Sequence, residues 1–399
     1  MIQSWTFWAV AVCACSVFWV LPVRMRAGFL ALVSIGYLAT LDAFSVAALA
    51  ALATLFYVCT PLLAEGRPQR HRALIALILV AALFLGAFKY LPPLLRALSV
   101  ASPIAMLLIP LGISYYCFKL IHFAIEASRG TLERGRIDTF FLYLFLFPIF
   151  TAGPIERYDH FVANRVDRLD REDLVQGLYR VVVGLIKQAV IADLLLRVLV
   201  QSVPDNDVLL ERLPELSTPL TWLIVARNYL HVYISFSAYS DIAIGISRLF
   251  GLRIQENFNW PVFARSASDY WQRWHMTLSR WCQDYVYLPA LGHTRNPYLA
   301  LQMSFFVMGM WHAGTATRLL WGMYHATAVG LYTAWTRLRR RRKWNFLTQR
   351  YGFVAAIALT QLYVLGSWAI LTGEDTGGVY QGLRVLAKLL FLNLAPPST

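Results

Sequence analysis

The sequence predicts an all-α polytopic membrane protein, and three observations lead to this prediction. Hydrophobic residue types make up 58% of the 399 residues, and the mean hydropathy is +0.53. Charged types make up only 15%, whereas a soluble domain carries about 25%. Many segments also offer the roughly 20 mostly apolar residues with which a helix crosses the hydrocarbon core, where its backbone satisfies its own hydrogen bonds.

The apolar segments predict about ten to twelve membrane-embedded helices within one integral membrane domain, residues 1–399. The candidate spans lie near 5–23, 27–42, 44–64, 73–95, 104–127, 138–152, 178–200, 218–234, 299–316, 319–335, 351–371 and 380–394. Two stretches, 138–152 and 234–250, fit a re-entrant or peripheral segment as well as a span.

Basic residues lie in the loops between these spans. No basic residue precedes the first apolar segment, and Arg24 and Arg26 follow it, which predicts an uncleaved first span with its N-terminus outside. Further basic clusters fall in alternate loops, ending with the run over 337–343. The net charge of +14 is therefore explained by positive-inside topology and contact with lipid headgroups rather than by nucleic-acid binding.

The five cysteines lie in or beside apolar segments and lack the spacing of a metal site or a disulfide framework. They are predicted to be small buried side chains: Cys13, Cys15, Cys59, Cys117 and Cys282.

The most polar stretch runs from Glu126 to Asp173 and encloses the apolar segment 140–150. Two interpretations are open. A buried segment bounded by charges suits a re-entrant hairpin that lines a cavity. An ordinary cytoplasmic loop with one span fits equally well.

Residues 269–285 combine aromatic and charged side chains at helical spacing. At about 100° per residue, one face of a helix would hold Trp271, Trp274, Leu278, Trp281 and Tyr285. The opposite face would hold two i,i+4 pairs, Asp269 with Arg273 and Arg280 with Asp284. Such a helix fits the membrane interface or packs on the spans below. His275, at the edge of the aromatic face, would point towards protein or a cavity, as a packing residue or as a functional one.

The apolar run 305–325 contains two histidines. His312 lies at membrane depth, where ionisable side chains face a cavity or a polar partner, so structural and functional roles are both open. Gly309 and Gly314 allow close backbone approach or a helix break. His325 would not share a face with His312 on a continuous helix. No metal-ligand spacing and no G-x-S-x-G elbow is present in the sequence.

Four blocks, in order, carry a family resemblance. They are PLGISYYCF at 110–118, FPIFTAGPIERY at 147–158, YSDIAIGISR at 239–248 leading into ENFN and the DYWQRWH block at 256–292, and MWHAG with WGMYH at 310–325. Over about 105–330 the chain thereby resembles the membrane-bound O-acyltransferase (MBOAT) family, in particular the bacterial branch of the alginate O-acetyltransferase membrane component and the teichoic-acid D-alanyl transfer protein. It departs from the family pattern at Ser235, His293 and Ala313.

The resemblance implies a bundle with re-entrant or interfacial helices around a central funnel. By analogy, His312 would be the general base that takes the proton from an acceptor hydroxyl. His275 would orient the acceptor or polarise the developing oxyanion, and burial would keep a histidine neutral. The resemblance also indicates candidates for substrate contact or tunnel lining: Trp311, Trp274, Arg273, Ser279, Asp241, Asn257, Glu156 and Arg157.

The implied reaction moves a short acyl group, with acetyl-CoA as the donor substrate and no bound cofactor or metal. The acceptor would be a hydroxyl of an extracytoplasmic polysaccharide, of another cell-envelope polymer or of a partner protein. A separate periplasmic partner would complete the transfer from the bacterial inner membrane. D-alanyl transfer from a carrier-protein thioester is an alternative. A transporter or flippase is another, although the sequence lacks the inverted repeats typical of many transporters.

Overall fold

The computed structural model describes residues 2–100, 109–168, 170–196, 206–344, 350–374 and 378–392. Within these ranges the chain is built from helices and their connections, with one isolated β-bridge between Arg165 and Leu252. The all-α prediction is therefore confirmed for this part of the chain.

The helices are numbered in chain order. They are α1 (Trp5–Val20), α2 (Val23–Cys59), α3 (Arg70–Lys89), α4 (Leu91–Ala97), α5 (Ile113–Arg129), α6 (Ile137–Phe145), α7 (Tyr158–Ala163), α8 (Arg171–Leu185), α9 (Asn206–Glu211), α10 (Thr218–Leu249), α11 (Ala267–Trp271), α12 (Met276–Cys282), α13 (Leu288–Thr294), α14 (Pro297–His312), α15 (Ala316–Arg342), α16 (Arg350–Leu371) and α17 (Gly378–Leu389). Two π-helical segments continue α8 and α12, at Ile186–Leu196 and Gln283–Tyr287.

Three helical stretches among the described residues are long and apolar enough to cross a membrane: Val23–Leu63, Arg70–Lys89 and Gly352–Leu371. The first bends at Asp42, whose backbone is non-helical (φ −158°, ψ 93°). Asp42 Oδ1 accepts a hydrogen bond from the Ser45 amide at 3.0 Å and so caps the following helical turn. The sequence prediction of two segments, 27–42 and 44–64, matches this bend.

The ambiguous segment 138–152 is not a span. Helix α6 has nine residues, which gives a length of about 14 Å against a hydrocarbon core of about 30 Å. Residues 142–150 are all buried. Of the two interpretations, the cytoplasmic loop with one ordinary span is therefore wrong, and a buried segment fits. The second ambiguous stretch, 234–250, forms the end of the 32-residue helix α10 and is mostly buried; whether it spans the membrane or lies beside it stays a prediction.

The described chain forms two compact units, Met1–Leu185 with Ala238–Glu256, and Ile186–Ser237 with Asn257–Thr399. In the first unit, the aromatic rings of Phe7, Tyr37 and Phe147 pack edge to face at centroid distances of 5.5 and 5.7 Å. Helix α8 packs closely on α10, since a Cβ added at Gly245 would lie 2.7 Å from the carbonyl oxygen of Gly177. Small residues thus bring these two backbones into contact.

In the second unit, α14 and α15 form a helical hairpin. Gly314 has a left-handed backbone (φ +67°) in the turn between them. A Cβ added at Gly309 would lie 2.6 Å from the Arg318 carbonyl oxygen, and one at Gly322 would lie 2.5 Å from the Phe305 carbonyl oxygen. The predicted roles of Gly309 in close approach and of Gly314 in a helix break are both confirmed.

All five cysteines are free thiols. Cys117 and Cys282 are buried as predicted, and Cys15 and Cys59 are partly buried. The prediction is wrong for Cys13, which is exposed. Helix α1 buries the face that carries Phe7, Ala11, Ala14 and Phe18, and Cys13 lies outside it.

Candidate active site

The predicted continuous helix over 269–285 is wrong. Helix α11 ends at Trp271, α12 begins at Met276, and His275 between them has a left-handed backbone (φ 42°, ψ 54°). Backbone hydrogen bonds to a distant segment explain the break: the Asn259 amide donates to the Arg273 carbonyl at 2.9 Å, and the Met276 amide donates to the Asn257 carbonyl at 2.8 Å. These hydrogen bonds hold the backbone at His275 in a non-helical conformation, although the spacing of the aromatic residues fits a continuous helix.

The ion pair between Asp269 and Arg273 is present, with Oδ1 and Nε 2.7 Å apart. It therefore confirms the first predicted i,i+4 pair although the helix ends within it. The second pair, Arg280 with Asp284, stays a prediction.

His275 is buried against polar and aromatic neighbours of the same unit. Its Nδ1 lies 2.9 Å from Asn257 Oδ1, and Asn257 is completely buried. Its ring packs on Phe236 at 4.9 Å and on Trp311 at 6.0 Å. Burial lowers the pKa of His275 to about 3, so the imidazole is neutral at physiological pH. The predicted inward orientation is confirmed.

His312 ends α14 at the turn of the hairpin. Its ring packs between Trp311, at 4.7 Å, and Trp321, at 5.3 Å with an interplanar angle of 88°. Unlike His275, it is only partly buried. The partial negative charge at a helix C-terminus stabilises a protonated imidazole, so this position suits a histidine that gains a proton during a reaction.

His325 and His312 pack on the same side chain, Trp321, although the two histidines were predicted not to share a face. That prediction assumed a continuous helix, whereas the turn at Gly314 folds α15 back along α14. Trp321 therefore packs on both imidazoles, at 5.3 Å from His312 and 4.7 Å from His325. His325 is buried, and its Nδ1 accepts a hydrogen bond from Trp271 Nε1 at 3.3 Å and contacts the Tyr363 hydroxyl.

Trp311 joins the two histidines expected to act in catalysis, since its ring packs on His275 at 6.0 Å and on His312 at 4.7 Å. Trp274 packs beside this group on Tyr229 and Phe258, at 6.0 and 5.2 Å. The structure thus brings together His275, His312, Trp311, Trp274, Arg273 and Asn257 within one unit.

Ser279 lies in the same unit, on a cavity of about 260 Å³ beside the π-helix Gln283–Tyr287. Buried Trp271, Phe305 and Met308 line its inner part, and exposed Arg337 lies at its edge. Trp271 contacts Trp321 at 5.8 Å. One layer of aromatic rings therefore connects the cavity wall to the neighbour of His312.

The other three candidates, Asp241, Glu156 and Arg157, lie in the first unit. The two carboxylates are paired with neighbouring side chains. Asp241 is buried, and its Oδ1 lies 3.2 Å from Arg180 Nε. Glu156 is buried, accepts from the Gln255 amide at 2.8 Å, and lies 2.6 Å from His160 Nδ1. This hydrogen bond raises the pKa of His160.

Arg157, the third of these candidates, directly precedes α7. Asp241 and Glu156 are thus buried carboxylates, and each is paired with a side chain of the first unit.

Two ring neighbours of the histidines, Phe236 and Trp321, were not among the predicted site residues. Thr277, which donates to Asn257 Oδ1, was not among them either. Trp321 was part of the block WGMYH, but only the hairpin shows that it contacts His312. Phe236 comes from a distant helix, so no local signal could have indicated it. Within the described ranges, no three His, Cys, Asp or Glu side chains come together as a metal-ligand group.

Comparison with known proteins decides the family. Residues 106–371, well over half of the chain, match the model of the membrane-bound O-acyltransferase family. The chain belongs to the MBOAT family. The resemblance carried by the four sequence blocks is therefore confirmed, and with the apolar helices it establishes a membrane protein.

Several bacterial proteins are similar to this MBOAT chain. The probable alginate O-acetylase AlgI of Pseudomonas putida is 33% identical over 67% of this chain and 53% of its own length. The teichoic acid D-alanyltransferase of Bacillus subtilis is 27% identical over 66% of this chain and 69% of its own length.

The peptidoglycan O-acetyltransferase of Helicobacter pylori is 28% identical over 63% of this chain and 46% of its own length. The chain thus spans about half the length of the O-acetylases that it matches.

Proposed function

We propose that this MBOAT chain transfers a short acyl group, an acetyl group in the first instance, from a cytoplasmic thioester to a hydroxyl of a cell-envelope polysaccharide or of a partner protein. The observation that carries the proposal is the contact of Trp311 with both His275 and His312. The buried, neutral imidazole of His275 suits a group that positions substrate. The partly exposed imidazole of His312, at the C-terminus of α14, suits a base.

His312 would act as the general base. It accepts the proton of the acceptor hydroxyl while that oxygen attacks the thioester carbonyl, and the C–S bond then breaks. The departing thiolate recovers the proton, so the imidazole is neutral again after each transfer. Its position at the C-terminal end of α14 favours this cycle, since the helix dipole stabilises the imidazolium form.

His275 would hold a substrate group beside this base, with Trp311, Trp274, Arg273 and Asn257 shaping the site around it. Ser279 lies on the cavity behind Trp271 and is proposed to contact the donor. We propose only a structural role for Asp241, Glu156 and Arg157. The buried carboxylate of Asp241 pairs with Arg180, and that of Glu156 pairs with His160.

Acetyl-CoA is the proposed donor, supported by similarity to an alginate O-acetylase and a peptidoglycan O-acetyltransferase. D-alanyl transfer from a carrier-protein thioester is the second candidate, supported by similarity to a teichoic acid D-alanyltransferase over 69% of its length. In either case we propose a multi-pass protein of the bacterial inner membrane that works with a separate extracytoplasmic transferase.

The donor is tested with the full chain purified in detergent. Free thiol is measured after adding acetyl-CoA or a D-alanyl carrier-protein thioester, each with and without an acceptor polysaccharide. Release from acetyl-CoA is expected. Release from the carrier thioester alone would replace the acetyl proposal with the D-alanyl one, and a folded protein that releases neither would favour the transporter interpretation.

A further inference from the structure

The side chain of Asn257 contacts His275 through an atom that only accepts hydrogen bonds. Asn257 Oδ1 lies 2.9 Å from His275 Nδ1, and Thr277 Oγ1 donates to the same oxygen at 2.9 Å. An amide oxygen has no proton to give, so Nδ1 must carry the single proton of the neutral imidazole. The lone pair of that imidazole is then on Nε2.

Asn257 also holds the backbone on which His275 is mounted. The Asn257 carbonyl accepts the Met276 amide at 2.8 Å, directly after the left-handed His275. A non-glycine residue at positive φ persists when its surroundings over-determine it, and such residues cluster at functional sites. The side chain of Asn257 thus constrains the imidazole of His275, and its main-chain carbonyl constrains the turn at His275.

We infer that Asn257 is a positioning residue, which fixes the tautomer of His275 so that Nε2 accepts a hydrogen bond from substrate. This inference rests on the proposed acyl transfer and narrows it. An acceptor nitrogen cannot stabilise an oxyanion, because that needs an N–H donor. Of the two roles expected for His275, orientation of a substrate O–H or N–H group remains, and the oxyanion role is excluded.

The charges near His275 agree with a neutral ring. Two aromatic side chains that pack on its ring, Phe236 and Trp311, do not titrate. On its own segment, Asp269 and Arg273 pair with each other at 2.7 Å. His312 is a titratable group that also packs on Trp311. Burial lowers the pKa of His275, and this desolvation is enough to keep the ring neutral at physiological pH.

The tautomer is measured directly by ¹⁵N solid-state NMR on histidine-labelled full chain in lipid. The His275 signal among the eight histidines is assigned as the one lost in His275→Gln. The expected signal is a neutral ring protonated on Nδ1, and a larger Nε2-protonated population in Asn257→Leu. A wild-type ring protonated on Nε2 would overturn the inference, whether or not the protein turns over thioester.

The rate–pH profile gives a second test. In Asn257→Asp a carboxylate accepts the same N–H and raises the pKa of His275. The acid limb of thioester turnover should then move to higher pH and steepen, because His275 titrates in addition to His312. Asn296→Asp is the matched control, since it adds the same charge while an aspartate still caps α14. Identical profiles for Asn257→Asp and wild type would contradict the inference.

The two failures are distinguishable. A folded wild type without thioester turnover would count against the proposed function, and the NMR tautomer would still decide the role of Asn257. An active wild type with the unexpected tautomer would count against the inference alone.

Discussion

The ring of Trp321 lies 5.3 Å from that of His312 and nearly perpendicular to it, at 88°. Trp321 is on α15 and His312 ends α14, so this contact exists only because the hairpin closes. The same tryptophan packs on the buried His325 at 4.7 Å. The orientation of the proposed base therefore depends on a side chain that is itself held by the core of the unit.

Trp321→Ala should lower kcat for thioester turnover more than it raises KM. Without the perpendicular ring, His312 can rotate away from the acceptor hydroxyl, and small misplacements of a catalytic group cost roughly 10²-fold. Trp321→Phe keeps an aromatic face and should retain most of the activity. Steady-state kinetics on the two variants make the comparison, and a wild-type kcat in Trp321→Ala would remove this role.

Gly309→Ala should destabilise the hairpin. The new Cβ would lie 2.6 Å from the Arg318 carbonyl oxygen, and overpacking of this kind costs about 1–3 kcal/mol. Gly292→Ala is the control, because a Cβ there meets nothing within 4 Å. Thermal unfolding in detergent should show a lower Tm for Gly309→Ala only; equal Tm values for both variants would mean that the helices separate without cost.

Asp241→Asn should affect stability and leave the KM for the donor unchanged. The buried Asp241 carboxylate pairs with Arg180 at 3.2 Å, and weakening a largely buried polar contact should lower the free energy of unfolding by about 1–3 kcal/mol. Glu215→Gln, which breaks an exposed pair with Arg212, should have almost no effect. A raised KM for the donor at unchanged stability would instead indicate that Asp241 contacts the substrate.

Acid should destabilise the folded protein partly through His275. Its pKa falls from 6.5 to about 3 on burial, so between these pH values the unfolded chain binds a proton that the folded chain does not. Stability is then full above pH 6.5 and decreases as the pH falls towards 3. His275→Gln should lose less stability than wild type between pH 7 and 5 in unfolding experiments, and exposed His293→Gln should behave as wild type.

The sequence was a good guide where the signal was local. Asp42 and Gly314 interrupt apolar runs, and both breaks are found in the structure. The ion pair of Asp269 with Arg273 also follows from spacing alone. Composition and hydropathy were enough to predict helices and a membrane environment, because the cost of unsatisfied backbone groups in lipid leaves few alternatives.

The site itself needed information from distant residues. The aromatic periodicity of 269–285 fits a helix, yet the amide of Met276 bonds to Asn257 and breaks it at His275. The contact of both His312 and His325 with Trp321 depends on the direction in which α15 leaves the turn. The geometry of a single helix does not supply that direction. Motif resemblance identified the two catalytic candidates, whereas their shared contact with Trp311 is visible only in three dimensions.

The role of His312 as the general base is tested most directly by thioester turnover of purified wild type, His312→Ala and His293→Ala, each checked for folding by thermal unfolding. His293 is exposed on α13 and serves as the matched histidine control. We expect a loss of about 10²–10⁴-fold for His312→Ala and an unchanged rate for His293→Ala. A folded His312→Ala that turns over thioester at the wild-type rate would contradict this role.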